Sequence, residues 1–299
     1  MKVAVLMSSY NGQKYIRDQI ESILNQQDVK VDLYIRDDGS SDDTLNIIKE
    51  YKEITLYQGK NIGVGNSFMD LVYCVPKKYD YYAFSDQDDI WLKNKLIVAI
   101  KKIRNNTGSI LYCSNQILVD KNLNKIGVRY NEIPDTSCEQ IFSVNKVSGC
   151  TMVWNKDLQK LLYDKQPSQE LLKCRIHDVW VAIVASITGK IIYDPKGYIL
   201  YRQHENNVVG GIEDNRLDKL KYGIKKIKNK KLRNGRSLMA KEIFKLFPEH
   251  AEKYEVFVLS KDTGTLHGKL NVISNNKEFR KYTNENIFSF SLKVLLGVF

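Results

Sequence analysis

Val3-Ala4-Val5-Leu6-Met7, running into Ser8-Ser9-Tyr10-Asn11-Gly12, is the stretch that decides the fold. Its apolar residues do not alternate with polar ones, which is the pattern of a strand buried on both faces of a largely parallel sheet. Ile16, Ile20, Ile23 and Leu24 then recur at helical spacing and predict an amphipathic helix over about residues 13–26. Strand character returns in Val31-Asp32-Leu33-Tyr34-Ile35-Arg36. The polar run Asp37-Asp38-Gly39-Ser40-Ser41-Asp42-Asp43 turns the chain into a second helix carrying Leu45, Ile47 and Ile48. Further strands are expected at Ile54–Tyr57, Tyr81–Phe84, Ile110–Ser114 and Ile191–Tyr193, with helices near 66–74 and 92–104. This alternation predicts an α/β sandwich whose ligands gather at the carboxyl ends of the strands.

Composition narrows the field. With 299 residues, 43% apolar and 27% charged, the chain is one large domain or a domain with an appendage, and disorder and collagen are excluded. Cys74, Cys113, Cys138, Cys150 and Cys174 form no C-x-x-C pair and are odd in number. A zinc knuckle and a complete disulfide framework are therefore disfavoured, and a reducing cytosol is the expected compartment. The first apolar run is too short for a signal peptide, and no run approaches the ~18 apolar residues of a bilayer span.

The net charge of +11 is uneven: residues 216–236 carry ten basic side chains against Asp218. Leu217, Leu220, Ile224 and Ile227 place an apolar seam on a basic helix there. Two units are expected, an α/β unit over 1–213 and a basic, mostly helical extension over 214–299 that ends in the apolar run Ile287–Phe299. The basic segment holds one aromatic, Tyr222, and no nucleic-acid-reading motif, so an anionic membrane surface suits it better than nucleic acid. Packing of the seam and tail on the α/β unit is the equal alternative.

Three clusters can carry chemistry. Asp86-Gln87-Asp88-Asp89 crowds three carboxylates just after an apolar strand, an arrangement that a hard divalent cation such as Mn²⁺ or Mg²⁺ relieves. A solvated acidic turn, with Asp88 or Asp89 capping a helix over 91–103, is the plainer reading. Asp37-Asp38-Gly39-Ser40 places a carboxylate where it can accept from a base or a ribose hydroxyl, or is simply a strand-to-helix turn. Gly59-Lys60-Asn61-Ile62-Gly63-Val64-Gly65 lacks the third glycine of a dinucleotide loop, since Phe68 stands there. His177-Asp178-Val179-Trp180 opens an apolar helix, where Asp178 is a helix-terminal acid or a carboxylate base. Arg202 and His204 follow a strand.

In this order, Met7–Gly12, Asp37–Asp42, Asn61-Ile62-Gly63, Asp86–Trp91, Val147-Ser148-Gly149-Cys150-Thr151-Met152, His177–Trp180 and Tyr201-Arg202-Gln203-His204 resemble the family 2 glycosyltransferases of the GT-A fold. The resemblance is especially to bacterial rhamnosyltransferase-like enzymes of surface polysaccharide assembly. The resemblance implies a nucleotide-diphospho-sugar transferase sandwich that moves rhamnose or a hexose with inversion, and a helical extension behind it. The implied donor is dTDP- or UDP-linked, and the acceptor a saccharide or lipid-linked saccharide. It implies donor contacts from Ser8, Tyr10, Asp38, Asn61, Asp86 and Arg202, and a metal held by Asp88 with His204. Asp178 is the implied catalytic base, and Gly149, Cys150 and Trp180 are expected to meet the acceptor. The implied location is cytoplasmic, at most peripheral at the inner face of the membrane. A haloacid-dehalogenase phosphatase is disfavoured because Arg36-Asp37-Asp38-Gly39-Ser40 has the wrong register, and a sugar nucleotidyltransferase because Ser8–Gly12 holds a single glycine.

Overall fold

The computed structural model describes residues 1–204, 233–283 and 285–299, so the basic helix expected around 217–227 lies outside the described residues. A nine-stranded mixed sheet organises the rest. Its strands are β1 (Lys2–Ser9), β2 (Lys30–Asp37), β3 (Thr55–Gln58), β4 (Tyr81–Ser85), β5 (Ile90–Trp91), β6 (Ser109–Val119), β7 (Lys125–Val128), β8 (Val153–Asn155) and β9 (Gly189–Arg202). They lie in the order β3-β2-β1-β4-β8-β6-β9-β5, with β7 paired to β6. The first four neighbours are parallel, as the unbroken apolar run of β1 requires. β8 is antiparallel to both β4 and β6.

Alternate residues of β1 enter two cores. Val3, Val5 and Met7 pack under Ile16, Ile20 and Ile23 of helix α1 (Ile16–Leu24) and Leu96 and Ile100 of α4 (Lys95–Ile103). Ala4 and Leu6 face Phe68, Leu71 and Val72 of α3 (Val64–Cys74) and Trp180 and Ile183 of α8 (His177–Thr188). Between these helices the chain adds α2 (Thr44–Lys49), α5 (Cys138–Ser143), α6 (Lys156–Asp164) and α7 (Gln169–Cys174). Register then sets the site: Met7 lies beside Ser85 and Ser9 beside Asp37, so Asp38 and Asp86 leave the sheet at one edge.

Two expectations are corrected. The helix expected near residue 92 starts at Lys95, because Ile90 and Trp91 pair with Leu200 and Ile199 as an edge strand. Asp88 and Asp89 therefore do not cap it; Asn94 occupies that position. The strand expected at Ile191–Tyr193 is the 14-residue β9, which follows β6 through two register shifts.

The extension adds α9 (Gly235–Leu246), α10 (Pro248–Ala251), α11 (Glu255–Ser260), α12 (Leu266–Ser274), α13 (Lys277–Arg280) and α14 (Ile287–Leu296). Its apolar residues join the core of the α3 and α8 side: Phe257 meets Phe142 edge-on at 5.0 Å, and Phe247 lies 6.2 Å from Trp180. Phe279, Phe290 and Phe299 form a cluster at 5.0–6.0 Å between ring centroids. Arg236, counted with the basic segment, is not a surface charge. Its guanidinium donates to the Phe142 carbonyl at 3.2 Å and to that of Ser143, and lies 4.1 Å from the Phe299 ring. Burial pushes it down to about 9. All five cysteines are free thiols, and no helix among the described residues is long and apolar enough to cross a membrane.

Trp154 joins the sheet to the α3 and α8 core. Fully buried on β8, it lies 4.5 Å from Phe84, and its indole N–H donates to Gln159 Oε1 at 2.9 Å. Trp154→Ala is expected to lose ~3–5 kcal/mol of stability, read from urea denaturation, because that packing cannot collapse around the gap.

Candidate active site

A cleft of about 590 Å³ opens at the carboxyl edge of β1, β2 and β4, a size that accommodates a small organic ligand. Ser8, Tyr10, Asp38, Asn61, Asp86 and Asp88 line it, and so do Gly149, Cys150, Asp178 and His204. Residues far apart in sequence thus meet in one place.

On its first side the cleft is built around a buried arginine. Arg36 Nη1 donates to Asp38 Oδ1 at 2.5 Å and to Ser67 Oγ at 3.2 Å, while Nε donates to Asp70 at 2.8 Å. Asp38 also accepts from the backbone N–H of Ile62 (2.9 Å) and Gly63 (3.0 Å), so this acid fixes the loop that carries Asn61. Asp37 instead ties its own turn, accepting from Ser9, Gly39 and Ser40. Gly39 has φ +86°, and a Cβ there would stand 3.3 Å from Asn61 N, so glycine is what the turn and loop require. Ser8 and Ser67 share a hydrogen bond of 2.6 Å under the cleft.

The acidic loop after β4 forms the centre. Gln87, between the two acids, accepts from Tyr10 N at 2.9 Å and donates to Tyr10 O at 3.0 Å, which fastens the loop to the end of β1. Asp88 Oδ2 lies 2.9 Å from His204 Nε2. Asp89 is buried; one oxygen accepts from Arg202 N at 3.2 Å and the other has no hydrogen-bond partner. Burial, together with the charges of Asp88 and Asp178, pushes Asp86 up to about 7, and burial and Asp88 push Asp89 well above the usual carboxylate range. Lys95 sits in the core beneath, its ammonium 3.7 Å from the Trp91 ring and pushed down to about 7 by burial against the pull of Cys150 and Asp89. Asp86, Asp89 and Cys150 bring potential ligand atoms within 4.8 Å of one another.

Asp178 closes the far wall from the first turn of α8. It accepts from Val179 N at 2.6 Å, and burial pushes it up to about 7. Next to it, buried His177 stacks on Phe68 at 4.0 Å, with neither ring nitrogen hydrogen-bonded, and burial holds it neutral, down at about 3. A Cβ at Gly149 would stand 2.7 Å from His177 Nε2, so the glycine lets the two segments close on each other.

Two expected contacts are corrected. Arg202 does not line the cleft: it is buried, stacks 4.4 Å from the Tyr15 ring, and donates to Asp88 O (3.0 Å), Lys121 O (3.2 Å) and Asp18 (3.3 Å). It holds the acidic loop and the His204 segment from behind. Trp180 is fully buried in the core and does not line the cleft either, so it cannot meet an acceptor. Cys150 forms the cleft floor, with its thiol accepting from Gln116 Nε2 at 3.2 Å. Sequence reasoning missed Gln87, Lys14, Tyr15, Gln116 and Arg129, all of which line the cleft. Gln87 was visible inside the acidic motif, whereas Gln116 and Arg129 depend on the β6–β7 hairpin, whose turn signal Asp120-Lys121-Asn122-Leu123-Asn124 the sequence reading did not use.

The model of glycosyl transferase family 2 matches residues 4–162. The dTDP-rhamnosyl transferase RfbG of Shigella flexneri is 34% identical over 227 residues, covering 68% of this chain and 73% of that protein. A glycosyltransferase of Haemophilus influenzae, otherwise uncharacterised, is 28% identical over 225 residues, 68% of this chain and 66% of that one. Among solved structures, S. aureus TarS 1–349 superposes with a TM-score of 0.61 at 18% identity, covering 100% of this chain and 88% of that 1–349 chain. A mannosyltransferase of Pyrobaculum calidifontis, solved with GDP-Man and Mn²⁺, gives 0.51 at 13% identity over 99% of this chain and 84% of its own. The GT-A fold expected from the sequence is thereby found.

Arg36→Met is expected to lower stability by ~3–5 kcal/mol in urea denaturation, since it strands the buried Asp38 carboxylate. Asp70→Asn, which removes the half-exposed partner of the same guanidinium, is expected to cost under ~1 kcal/mol.

Proposed function

The chain belongs to glycosyl transferase family 2 and is a glycosyltransferase, and from that premise we propose an inverting, metal-dependent transfer from a nucleoside-diphosphate sugar to a saccharide or lipid-linked saccharide acceptor. The donor is dTDP-rhamnose or a UDP-hexose. The RfbG relative is named for the first, and TarS has been solved with UDP-GlcNAc. The catalytic unit is residues 1–213, in the cytoplasm, and 214–299 is its extension.

The observation that carries this reading is Asp178 facing the same cleft as the acidic loop, with its carboxyl pushed up to about 7. A carboxyl tuned to that range accepts a proton near neutral pH and holds it away from the reacting oxygen. The acceptor hydroxyl gives its proton to Asp178, and the acceptor oxygen bonds to the anomeric carbon. The carbon–oxygen bond to the diphosphate breaks, and the nucleoside diphosphate leaves with the electron pair. Ser8, Tyr10, Asp38 and Asn61 hold the base and ribose, and Asp86 stands near the ribose. Gly149 and the floor at Cys150 bound the acceptor side.

The donor set fits a hard divalent ion. Asp88 and His204, whose Oδ2 and Nε2 face each other across 2.9 Å in the cleft, would hold it with a carboxylate oxygen and an imidazole nitrogen. Such an ion, when bound, offsets the charge on the departing diphosphate.

A thermal-shift and donor-hydrolysis screen of nucleotide sugars with Mn²⁺, including dTDP-rhamnose and UDP-hexoses, identifies the donor; stabilisation by none of them would overturn the reading. Asp178→Asn is expected to keep donor affinity and lose transfer by ~10²-fold or more. Near wild-type transfer by that variant would exclude Asp178 as the base. Because the base works ionised, transfer rate should rise with pH through about 7 and fall below it. Asp88→Ala should abolish the Mn²⁺-dependent part of donor binding in calorimetry.

A further inference from the structure

Helix α14 carries apolar side chains on two opposite faces, with Ser289, Ser291 and Lys293 between them, and only one of those faces is buried. Phe290 and Val294 face inward into the aromatic cluster with Phe279 and Phe299. On the opposite side Phe288 is 85% exposed and Leu292 58%, one turn apart, with Leu295 following. Neighbouring α12 repeats the pattern: Val272 is buried, while Leu266 and Leu270 are 68% and 53% exposed. Lys269 Nζ donates to Leu295 O at 2.7 Å, which lays α12 beside the end of α14. Among the described residues, these two outward apolar stripes on adjoining helices stay exposed, more apolar surface than scattered single residues present.

The charges beside these stripes identify what covers them. Neither α12 nor α14 contains an Asp or Glu, and they contribute Lys269 and Lys293. Of the nearby acids, Glu278 and Glu285 are paired, with Lys281 at 2.8 Å and Lys293 at 2.6 Å, and Asp262 lies in the turn just before α12. In the same extension, residues 216–233 add eight net positive charges in sequence, nine basic side chains against Asp218. A second copy of this chain would bring two basic extensions together and oppose their charges. An anionic lipid surface supplies both an apolar interior for Phe288 and Leu292 and negative headgroups for the excess basic residues of the extension.

We propose that the outer face of α12 and α14 docks this protein on an anionic lipid bilayer, with Phe288 and Leu292 entering the headgroup–acyl boundary. This deepens the glycosyltransferase reading, because a lipid-linked acceptor is itself held in such a surface.

The test is co-sedimentation of the full chain with vesicles of phosphatidylcholine alone and of phosphatidylcholine mixed with phosphatidylglycerol, at low and high salt. Binding to the mixed vesicles, weakened by salt, is expected. Phe288→Ser with Leu292→Ser should lower it by about tenfold or more, whereas Ile133→Ser, at an exposed site before α5 and outside the extension, should leave it unchanged. All three proteins are compared by circular dichroism and by transfer to a soluble acceptor, neither of which should move. Absence of binding to the mixed vesicles, or equal binding by the double variant, would overturn the proposal. So would a wild-type dimer in sedimentation velocity that the double variant dissolves, which would make the face a chain–chain interface. Vesicle binding is read without catalysis, so loss of transfer with binding intact would instead count against the glycosyltransferase mechanism.

Discussion

The arrangement of this protein depends on keeping four carboxylates, Asp86, Asp88, Asp89 and Asp178, close together at the edge of a buried sheet. Unrelieved, such a cluster repels itself and resists burial. The fold relieves it unevenly. Asp89, the deepest, receives the Arg202 backbone N–H and lies near the Lys95 ammonium, which is itself buried and held over Trp91. Asp88 is matched with His204. None of this cancels the desolvation: Asp86, Asp89 and Asp178 all stay above the usual carboxylate range, so the cluster shares the raised protonation that it cannot avoid. The interior thus spends a lysine to leave the outer acids available to a ligand.

The same economy explains the links between loops. Each wall of the cleft belongs to a different strand end, and the loops have little apolar contact to fix them. Polar ties do that work: Gln87 with Tyr10, Asp38 with the Ile62-Gly63 backbone, Arg202 with Asp18 and the Asp88 carbonyl. Arg36 and Arg202 play equivalent parts on opposite sides of the sheet. Both are buried cations facing loops rather than ligand, and both set the position of an acid that lines the cleft.

Much of this was legible because a parallel sheet makes long apolar runs and sends its polar turns to one edge. Asp38, Asp86 and Asp88 could be placed for that reason. The two misassigned residues were lost to geometry that spacing does contain. Trp180 lies two positions after Asp178 on a helix, a separation that turns it to the opposite face and into the core. Arg202 follows Tyr201 on a strand, and successive strand residues point to opposite faces; Tyr201 lines the cleft, so Arg202 points away from it. The edge strand Ile90–Trp91 was illegible for another reason. Its pairing with β9 spans more than a hundred residues, and nothing local in two residues distinguishes a strand from the start of a helix.

Charge tells the reverse story, in which a simple count misleads until burial is known. The excess of +11 is concentrated by sequence in the extension, but position in sequence does not make a charge a surface charge. Arg236 is spent inside, satisfying the Phe142 and Ser143 carbonyls where α5 ends. Folding alone needs only the inner residues of α14, Phe290 and Val294, to anchor that helix. Among the described residues, Phe288 and Leu292 stay largely outside the core and enlarge the apolar surface in water. A residue pattern that folding does not need points to a constraint outside the fold, and in this chain that constraint lies on the acid-free face of the extension rather than on the face it turns to the catalytic sheet.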